Sequence, residues 1–231
     1  MKKIKETLFV IQARTQSTRV RNKMLRPFAD SCLFEIAVKK ILQSSLVPKD
    51  NFCLSIMDKE LIEIAKKYNV NYFIRSEEST QEPVTLPKVF EWYNKLPFKH
   101  YVHINACNPL LKIETIDKFI EQFVNSDCTG QFGVFEKKTF LFSSKGKMLN
   151  EFHGDDKYLA TLETKFTETC YEAAHSLYAG AMNDIGSHIY MGSFKKKGDP
   201  LFFIMDEKEC FDIDWPWQFE LAEKLYTQES S

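Results

Sequence analysis

Strand and helix signals alternate along the first half of this 231-residue chain, and this order constrains the fold more than any other feature. Apolar residues recur at helical spacing after Ser31, after Asp58, over 88–96 and over 114–124. Short segments that predict strands lie between these helices, at 7–11, 52–57, 70–74 and 101–105. The alternation predicts an α/β fold with a doubly wound, mostly parallel sheet.

The pattern changes after Gly130, where Phe-rich alternating segments flank Ser143–Gly146. Turn residues between such segments predict a β-hairpin. We expect a small antiparallel hairpin inserted over residues 136–172, as a homodimerisation arm or a lid within a single domain, 1–231. Further strands are expected near 176–179 and over 201–205, followed by a helix through Tyr226.

The charge and cysteine patterns argue against several classes of protein. A formal net charge of −1 lacks the basic field of a nucleic-acid-binding protein. The six cysteines form no Cys-x-x-Cys pair, which argues against a zinc site and against a disulfide framework. No apolar run approaches the roughly eighteen residues of a membrane span. We therefore expect a cytoplasmic protein with no nucleic-acid or membrane partner.

Four of the five arginines lie within thirteen residues, directly after the first predicted strand: Arg14, Arg19, Arg21 and Arg26. The planar guanidinium suits bidentate contact with phosphate or carboxylate groups. In open α/β sheets, ligands bind beyond the carboxyl ends of the strands, where this segment would lie. Residues 12–25, called the basic loop below, are therefore interpreted as a polyphosphate-binding loop. The alternative is a solvated loop that neutralises acidic neighbours, but the interleaved Ser17, Thr18 and Asn22 favour binding.

Two aspartates occupy alternate positions near the end of the chain, Asp212 and Asp214. In an extended segment such residues point to the same side, and two adjacent carboxylates repel each other unless a cation lies between them. Mg²⁺ suits the pair, because it takes one or two protein carboxylates and completes its shell with water and phosphate oxygens. Alternatively, Asp214 caps the helix that begins near Pro216. Together with the basic loop, the pair indicates nucleotidyl transfer.

The two motifs resemble those of the CMP-sugar-acid synthetases. The basic loop reads Gln-Ala-Arg-x-x-Ser-Thr-Arg-x-x-x-Lys-x-Leu over 12–25, and Asp-Ile-Asp over 212–214 precedes a helix. These enzymes are the cytidylyltransferases that act on acylneuraminate and on 3-deoxy-manno-octulosonate, and the related spore-coat polysaccharide type is most similar at the loop. The resemblance implies an α/β nucleotidyltransferase fold with a dimerising hairpin, CTP as donor, Mg²⁺ as cofactor and an acidic sugar acceptor destined for surface polysaccharide.

The resemblance also implies roles for individual residues, position by position. The triphosphate would be held at the basic loop, and the base and ribose near the ends of the third and fourth strands. The implied catalytic residues are Lys23, Arg14 and Asp214; the nucleotide-binding residues are Ala13, Arg14, Ser17, Arg19, Lys23, Arg75 and Asn105; and the metal ligands are Asp212 and Asp214.

Three departures from the family pattern leave alternatives open. Arg21 stands where the family has proline, residues 105–108 lack the acidic metal ligand of the octulosonate type, and residues 130–200 contain no arginine. Lysines would then meet the carboxylate of an acceptor as point charges. The alternatives are a nucleotidyltransferase that uses another nucleotide or a phosphorylated polyol acceptor, and a non-catalytic nucleotide-binding relative. His175 is interpreted as a structural hydrogen-bonding residue, and His103, between Val102 and Ile104 on a predicted buried strand, as a satisfied core residue.

Overall fold

A mixed β-sheet with helices on both faces forms the fold, which a computed structural model describes for residues 1–81 and 84–229. The strands are β1 (Thr7–Gln12), β2 (Pro27–Phe28), β3 (Ser31–Cys32), β4 (Phe52–Ile56), β5 (Asn71–Ile74), β6 (His100–Ile104), β7 (Gln131–Lys137), β8 (Cys170–Ala181) and β9 (Leu201–Ile204). The helices are α1 (Leu33–Leu42), α2 (Lys59–Lys67), α3 (Leu86–Val89), α4 (Ile113–Asn125), α5 (Asp156–Ala160), α6 (Met182–Gly186) and α7 (Pro216–Glu229). No helix in this part of the chain is long and apolar enough to cross a membrane.

The seven-stranded sheet has the order β5-β4-β1-β6-β8-β7-β9. Strands β5, β4, β1 and β6 are parallel to one another, and β7 is parallel to β9. Only β8, which lies between β6 and β7, runs antiparallel to both. The mostly parallel α/β sheet expected from the sequence is therefore confirmed. The parallel half also aligns the carboxyl ends of β1, β4 and β6 at one edge, which positions the loops described below.

Both faces of the central strands β1 and β4 are buried, as a doubly wound arrangement requires, whereas the edge strands β5 and β9 are largely exposed. On one face, β1 contributes Phe9 and Ile11 to a core that includes Phe119 and Phe123 of α4. On the other face, alternate residues of the same strands pack against Trp92 and its neighbours. Successive strand side chains point to opposite faces, so a strand buried on both sides reads as a continuous apolar run in the sequence.

The prediction of one continuous helix over 88–96 is wrong. Helix α3 ends at Val89, and a separate 3-10 turn covers Glu91–Asn94. Phe90 and Trp92 are both buried against the same face of the sheet. Residues two apart in an α-helix point about 200° apart, so a straight helix cannot bury both on one side. The backbone breaks at Phe90 and lets both rings reach the core.

The segment between β7 and β8 contains a short turn at the predicted hairpin. The backbone N–H of Ser143 donates to the carbonyl of Lys147 at 2.8 Å, and Phe142 and Met148 form an antiparallel bridge. Phe142 and Leu149 are more than half exposed. The role of residues 136–172 as a dimerisation arm or lid stays a prediction.

Candidate active site

The basic loop leaves the carboxyl end of β1 and is anchored by apolar residues that interrupt its charges. Val20 and Met24 are buried in the core beneath it. Asn22 has a positive φ of 53°, and its carbonyl accepts from the backbone N–H groups of Leu25 and Arg26. This tight turn returns the chain to the core. Burial of the apolar residues leaves the polar and cationic ones at the surface of the loop, where they can meet a ligand.

These loop residues line a cavity of about 210 Å³, called the first cavity. Residues from two other regions complete its wall, namely the end of β6 and the segment before α7. The predicted site residues in this wall are Ala13, Arg14, Ser17, Arg19, Lys23, Asn105 and Asp214. Arg21 is exposed and is not part of this wall.

The two ends of the chain meet in the first cavity. Arg19 lies 2.9 Å from the Asp214 carboxylate, and Lys23 Nζ lies 3.6 Å from the same oxygen. Lys23 also donates to the backbone carbonyl of Ile213. The Ile213 N–H in turn donates to the carbonyl of Cys107 at 3.1 Å, which fixes the aspartate segment to the loop after β6. Cations and carboxylates are therefore held together by backbone contacts as well as by charge.

Asp212 carries a buried oxygen without a protein partner. Its Oδ1 has no hydrogen bond among the described residues. Burial raises the pKa of Asp212 to about 6, although the nearby Lys23 opposes this shift and Asp214 adds to it. An unpaired buried carboxylate oxygen is costly unless a cation reaches it. The site therefore fits a divalent metal whose other ligands are water and phosphate oxygens. Among the described residues, no group of three or more His, Cys, Asp or Glu side chains could hold a metal ion alone.

Asp214 does not have the helix-capping role that was its alternative interpretation. The backbone N–H groups of Asp214 and Trp215 both donate to Oε1 of Gln218, each at 2.7 Å. Gln218 thereby satisfies the start of α7, as the returning side chain of a capping box does. This leaves the Asp214 carboxylate available to Arg19 and Lys23.

A second cavity of about 420 Å³ adjoins the first. Both cavities are lined by Gln12, Ala13, Arg14 and Asn105. The second continues past Arg75 towards an aromatic wall formed by Phe90, His103, Tyr178 and Tyr190. An elongated ligand could therefore lie across the shared residues with its two ends in different cavities.

Arg75 lines the second cavity, but it also holds the turn at Glu77–Thr80. Its Nε donates to Oγ of Ser79 at 3.1 Å, and its Nη2 donates to the Ser79 carbonyl at 2.8 Å. Arg14 donates to the carbonyl of Thr80 in the same turn. Burial lowers the pKa of Arg75 to about 10, with Arg14 as the second cause. The two arginines thus shape the cavity, whatever contacts they make to a ligand.

Asn105 is fixed where the two cavities join. Its Nδ2 donates to the His175 carbonyl at 2.8 Å, and its Oδ1 accepts from the Cys107 N–H at 3.0 Å. His175 adopts a positive φ of 50° where the pairing of β7 with β8 shifts register. This bulge brings an exposed imidazole near Asp212 and within 3.0 Å of the Tyr178 hydroxyl. His175 thus has the structural role expected for it, because its carbonyl accepts the hydrogen bond that holds Asn105. Its ring lies at the edge of the site.

Cys107 lies in the wall of the first cavity beside Lys23. Burial raises the pKa of its thiol to about 11. A thiol with so high a pKa is almost entirely protonated near neutral pH and is a poor nucleophile. Sequence reasoning missed Thr80, Tyr178 and Tyr190 as cavity residues, because no motif marks isolated residues that converge only in the fold. It also gave no role to Gln12, although this residue begins the basic loop.

A comparison with known protein families shows which family the chain belongs to. The family model described as cytidylyltransferase matches residues 8–230. The chain belongs to the cytidylyltransferase family. The family resemblance noted from the basic loop and the aspartate pair is therefore confirmed.

Relatives of this cytidylyltransferase differ in how much of the chain they share. The spore coat polysaccharide biosynthesis protein SpsF of Bacillus subtilis is 29% identical over 118 residues, which is 50% of this chain and 49% of SpsF. The chain thus spans about half the length of that relative. The pseudaminic acid cytidylyltransferase of Campylobacter jejuni is 24% identical over 237 residues and 96% of both chains.

The fold of the cytidylyltransferase matches solved structures as well. A structure of CMP:2-keto-3-deoxy-manno-octonic acid synthetase complexed with CTP superimposes with a TM-score of 0.67. The sequence identity is 12%, and the match covers 97% of this chain and 99% of that chain. At this identity the likeness concerns the fold alone. It confirms the nucleotidyltransferase type of α/β architecture.

Proposed function

We propose that this cytidylyltransferase transfers CMP from CTP to a sugar acid, with release of pyrophosphate and with Mg²⁺ as cofactor. The observation that carries the proposal is the meeting of Arg19 and Lys23 with Asp214 in the first cavity. A metal–triphosphate needs both cations that bind phosphate and carboxylates that bind the metal. Arg19, Lys23 and Asp214 lie in the wall of the first cavity, and Asp212 lies outside this wall, two residues before Asp214. The product would serve surface polysaccharide synthesis, as the name of SpsF suggests for that relative.

The shape of the site supports an extended nucleotide. We place the triphosphate in the first cavity, beside Ser17, Arg19 and Lys23, and the nucleoside in the second, beside Arg75. Asn105 lines both cavities and would contact the ribose between them. Charged hydrogen bonds to the phosphates each contribute about 1.5–3 kcal/mol, which is enough for three or four of them to fix the nucleotide.

The reaction needs positioning and charge neutralisation more than covalent help from the protein. An acceptor hydroxyl oxygen forms a bond to the α-phosphorus of CTP and loses its proton to solvent, and the bond between that phosphorus and the bridging oxygen breaks as pyrophosphate leaves. Lys23 would stabilise the negative charge that develops on these oxygens. Bound Mg²⁺ would supply additional charge neutralisation. Asp212 and Asp214 are the residues that would hold it.

The proposal for the acceptor of CMP rests on the relatives of this chain and on the residues at the edge of the site. The pseudaminic acid cytidylyltransferase of Campylobacter jejuni aligns over nearly the whole chain. In this chain, His175 and Tyr178 contact each other near Asp212, and Tyr178 also lines the second cavity. We therefore propose an acidic sugar, with a phosphorylated polyol as the second candidate.

A pyrophosphate-release screen tests the proposal. The purified protein is incubated with each of the four ribonucleoside triphosphates, Mg²⁺, and a panel of acidic sugars and phosphorylated polyols. We expect pyrophosphate only with CTP and a sugar acid, together with a CMP-linked product in the mass spectrum. Activity with another nucleotide or only with a polyol would support the alternative transferase. Nucleotide binding without any product across the panel would support a non-catalytic relative.

We also propose that the enzyme acts in the cytoplasm as a homodimer. The apolar residues exposed between β7 and β8, Phe142 and Leu149 among them, would be covered by a second copy of the chain. Light scattering coupled to gel filtration tests this proposal. A mass of two chains supports it, and a mass that stays at one chain over a range of concentrations contradicts it.

A further inference from the structure

The second cavity is lined by a histidine with one unpaired ring nitrogen. His103 lies on β6, two residues before Asn105, and its ring belongs to the aromatic wall of this cavity. Its Nδ1 contacts the hydroxyl of Tyr190. Its Nε2 is buried and has no hydrogen-bond partner in the described part of the chain. A buried polar atom without a partner is unfavourable in the free protein, and a ligand that pairs with it removes this cost.

The Tyr190 hydroxyl determines which nitrogen of His103 carries the proton. Burial raises the pKa of Tyr190, so the hydroxyl keeps its hydrogen and needs an acceptor. Burial also lowers the pKa of His103 to about 4, with Arg75 as the second cause, so the imidazole is neutral. Within the described residues, the contact recorded for the hydroxyl is His103 Nδ1. We therefore assign the donor role to the Tyr190 hydroxyl and the acceptor role to Nδ1, which puts the hydrogen of the neutral ring on Nε2.

Packing holds the His103 ring in one orientation. It stacks on Tyr178 with ring centroids 6.1 Å apart and 26° between the planes. Phe90 meets it edge-on at 5.7 Å. A donor fixed in this way recognises an acceptor at a defined position, because neither the ring nor its protonation is free to adapt.

We propose that His103 is a nucleobase-contacting residue whose Nε2–H donates a hydrogen bond to an acceptor on the pyrimidine edge of CTP. This inference rests on the proposed function, which puts the triphosphate in the first cavity and the nucleoside in the second. Asn105 lines both cavities and His103 only the second, so a nucleotide anchored at Lys23 extends past Asn105 towards His103. Cytosine offers two acceptors on this edge, O2 and N3. Uracil keeps O2 but carries a hydrogen on N3.

The test is calorimetric titration of three variants of the full chain. His103→Leu removes the donor at similar volume. His103→Gln keeps a donor near the position of Nε2. His100→Leu is the matched control, because it makes the same change on the same strand at the opposite end, away from both cavities. Each protein is titrated with CTP, with UTP and with inorganic tripolyphosphate, and thermal melting checks the fold.

We expect His103→Leu to bind CTP about tenfold more weakly, with tripolyphosphate binding unchanged. His103→Gln should stay within about threefold of the wild type, and His100→Leu should match it. Equal losses for CTP and UTP would assign the contact to O2, and a loss for CTP alone would assign it to N3. Unchanged CTP affinity in His103→Leu, or an equal loss of tripolyphosphate affinity, overturns the inference. A wild-type protein that binds no CTP would instead refute the proposed function.

Discussion

Lys23 Nζ lies 3.6 Å from the carboxylate of Asp214, although one residue follows the first strand and the other precedes the last helix. The parallel sheet makes this possible, because β1 and β6 end at the same edge and the aspartate segment is fixed to the loop after β6. Without ligands, the lysine and the carboxylate neutralise each other. When ligands bind, the lysine can pair with a phosphate anion and the carboxylate with a metal ion. The pair is therefore the centre of the proposed site.

Replacement of Lys23 by methionine should reduce turnover about 10²–10³-fold, by analogy with the loss of one donor to a developing oxyanion. The measurement is the rate of pyrophosphate release at saturating CTP and acceptor. Lys66→Met is the control, since Lys66 pairs with Glu63 on the exposed face of α2. Because Lys23 also donates to the Ile213 carbonyl, the melting temperature must be compared as well. An undiminished rate in a folded Lys23→Met protein would falsify the catalytic assignment.

Two arginines of the basic loop form a matched pair for testing phosphate binding. Arg19 lies in the first cavity, 2.9 Å from Asp214 and 5.6 Å from the Trp215 ring, whereas Arg21 is exposed and outside both cavities. We expect Arg19→Met to weaken CTP binding about tenfold or more, because a charged hydrogen bond to phosphate is lost. Arg21→Met should bind as the wild type does. Equal effects of the two substitutions would show that only the net charge of the loop matters.

In the absence of metal, the Asp212→Asn variant should be more stable than the wild type at about pH 7.5. Burial raises the pKa of Asp212 from 3.8 to about 6, so the folded state holds its proton more tightly than the unfolded state. The stability of the wild type therefore falls as the pH rises from about 4 to about 6 and then levels off. Solvent screening reduces the full effect of the shift, and we expect a difference of about 1–2 kcal/mol.

Chemical denaturation in the presence of a chelator, at several pH values, measures this difference. The two proteins should converge below about pH 4, where the aspartate is protonated in both the folded and the unfolded states. If the Asp212→Asn variant is still the more stable protein below about pH 4, its stabilisation does not come from removal of the charge on Asp212. A wild type that is the more stable protein near neutral pH would contradict the unpaired, charged carboxylate described for Asp212.

Arg75→Met should lower both stability and CTP affinity. The substitution leaves the Ser79 carbonyl and hydroxyl without their buried donor, which costs about 1–3 kcal/mol. Denaturation measures the first effect and calorimetry the second. Ser79→Ala provides the comparison, because it keeps the bond from Arg75 to the Ser79 carbonyl and should cost less, although it removes the bonds of the hydroxyl to Arg75 and to the Ser76 carbonyl. Full CTP affinity in a destabilised Arg75→Met protein would limit this arginine to holding the turn.

Much of the fold was accessible from the sequence because its signals are local. Strand β4 is buried along its whole length and α4 has one apolar face, and both patterns predicted the elements within one or two residues. The order of strands and helices then indicated a parallel sheet. The basic loop was recognisable as a site because cations followed a buried strand, and the fold places it where that rule puts ligands.

The rest depended on contacts between distant residues. Nothing local indicates that Phe90 and Trp92 must both reach one face, which breaks the expected helix at 88–96. His103 read as an ordinary core residue, since Val102 and Ile104 flank it. Its unpaired Nε2 becomes visible only once Tyr190, from a loop far along the chain, meets its other nitrogen. Site residues brought together by tertiary packing leave no pattern in the sequence.

The coupling between Mg²⁺ and CTP binding tests the central claim most directly, because the two ligands are proposed to share one cavity wall. Linkage requires that each ligand strengthens the binding of the other by the same factor. Calorimetry with and without Mg²⁺ should show that the metal tightens CTP binding to the wild type by about tenfold or more. In an Asp212→Asn, Asp214→Asn double variant this dependence should disappear, although CTP itself still binds. The same metal dependence in both proteins would contradict the account.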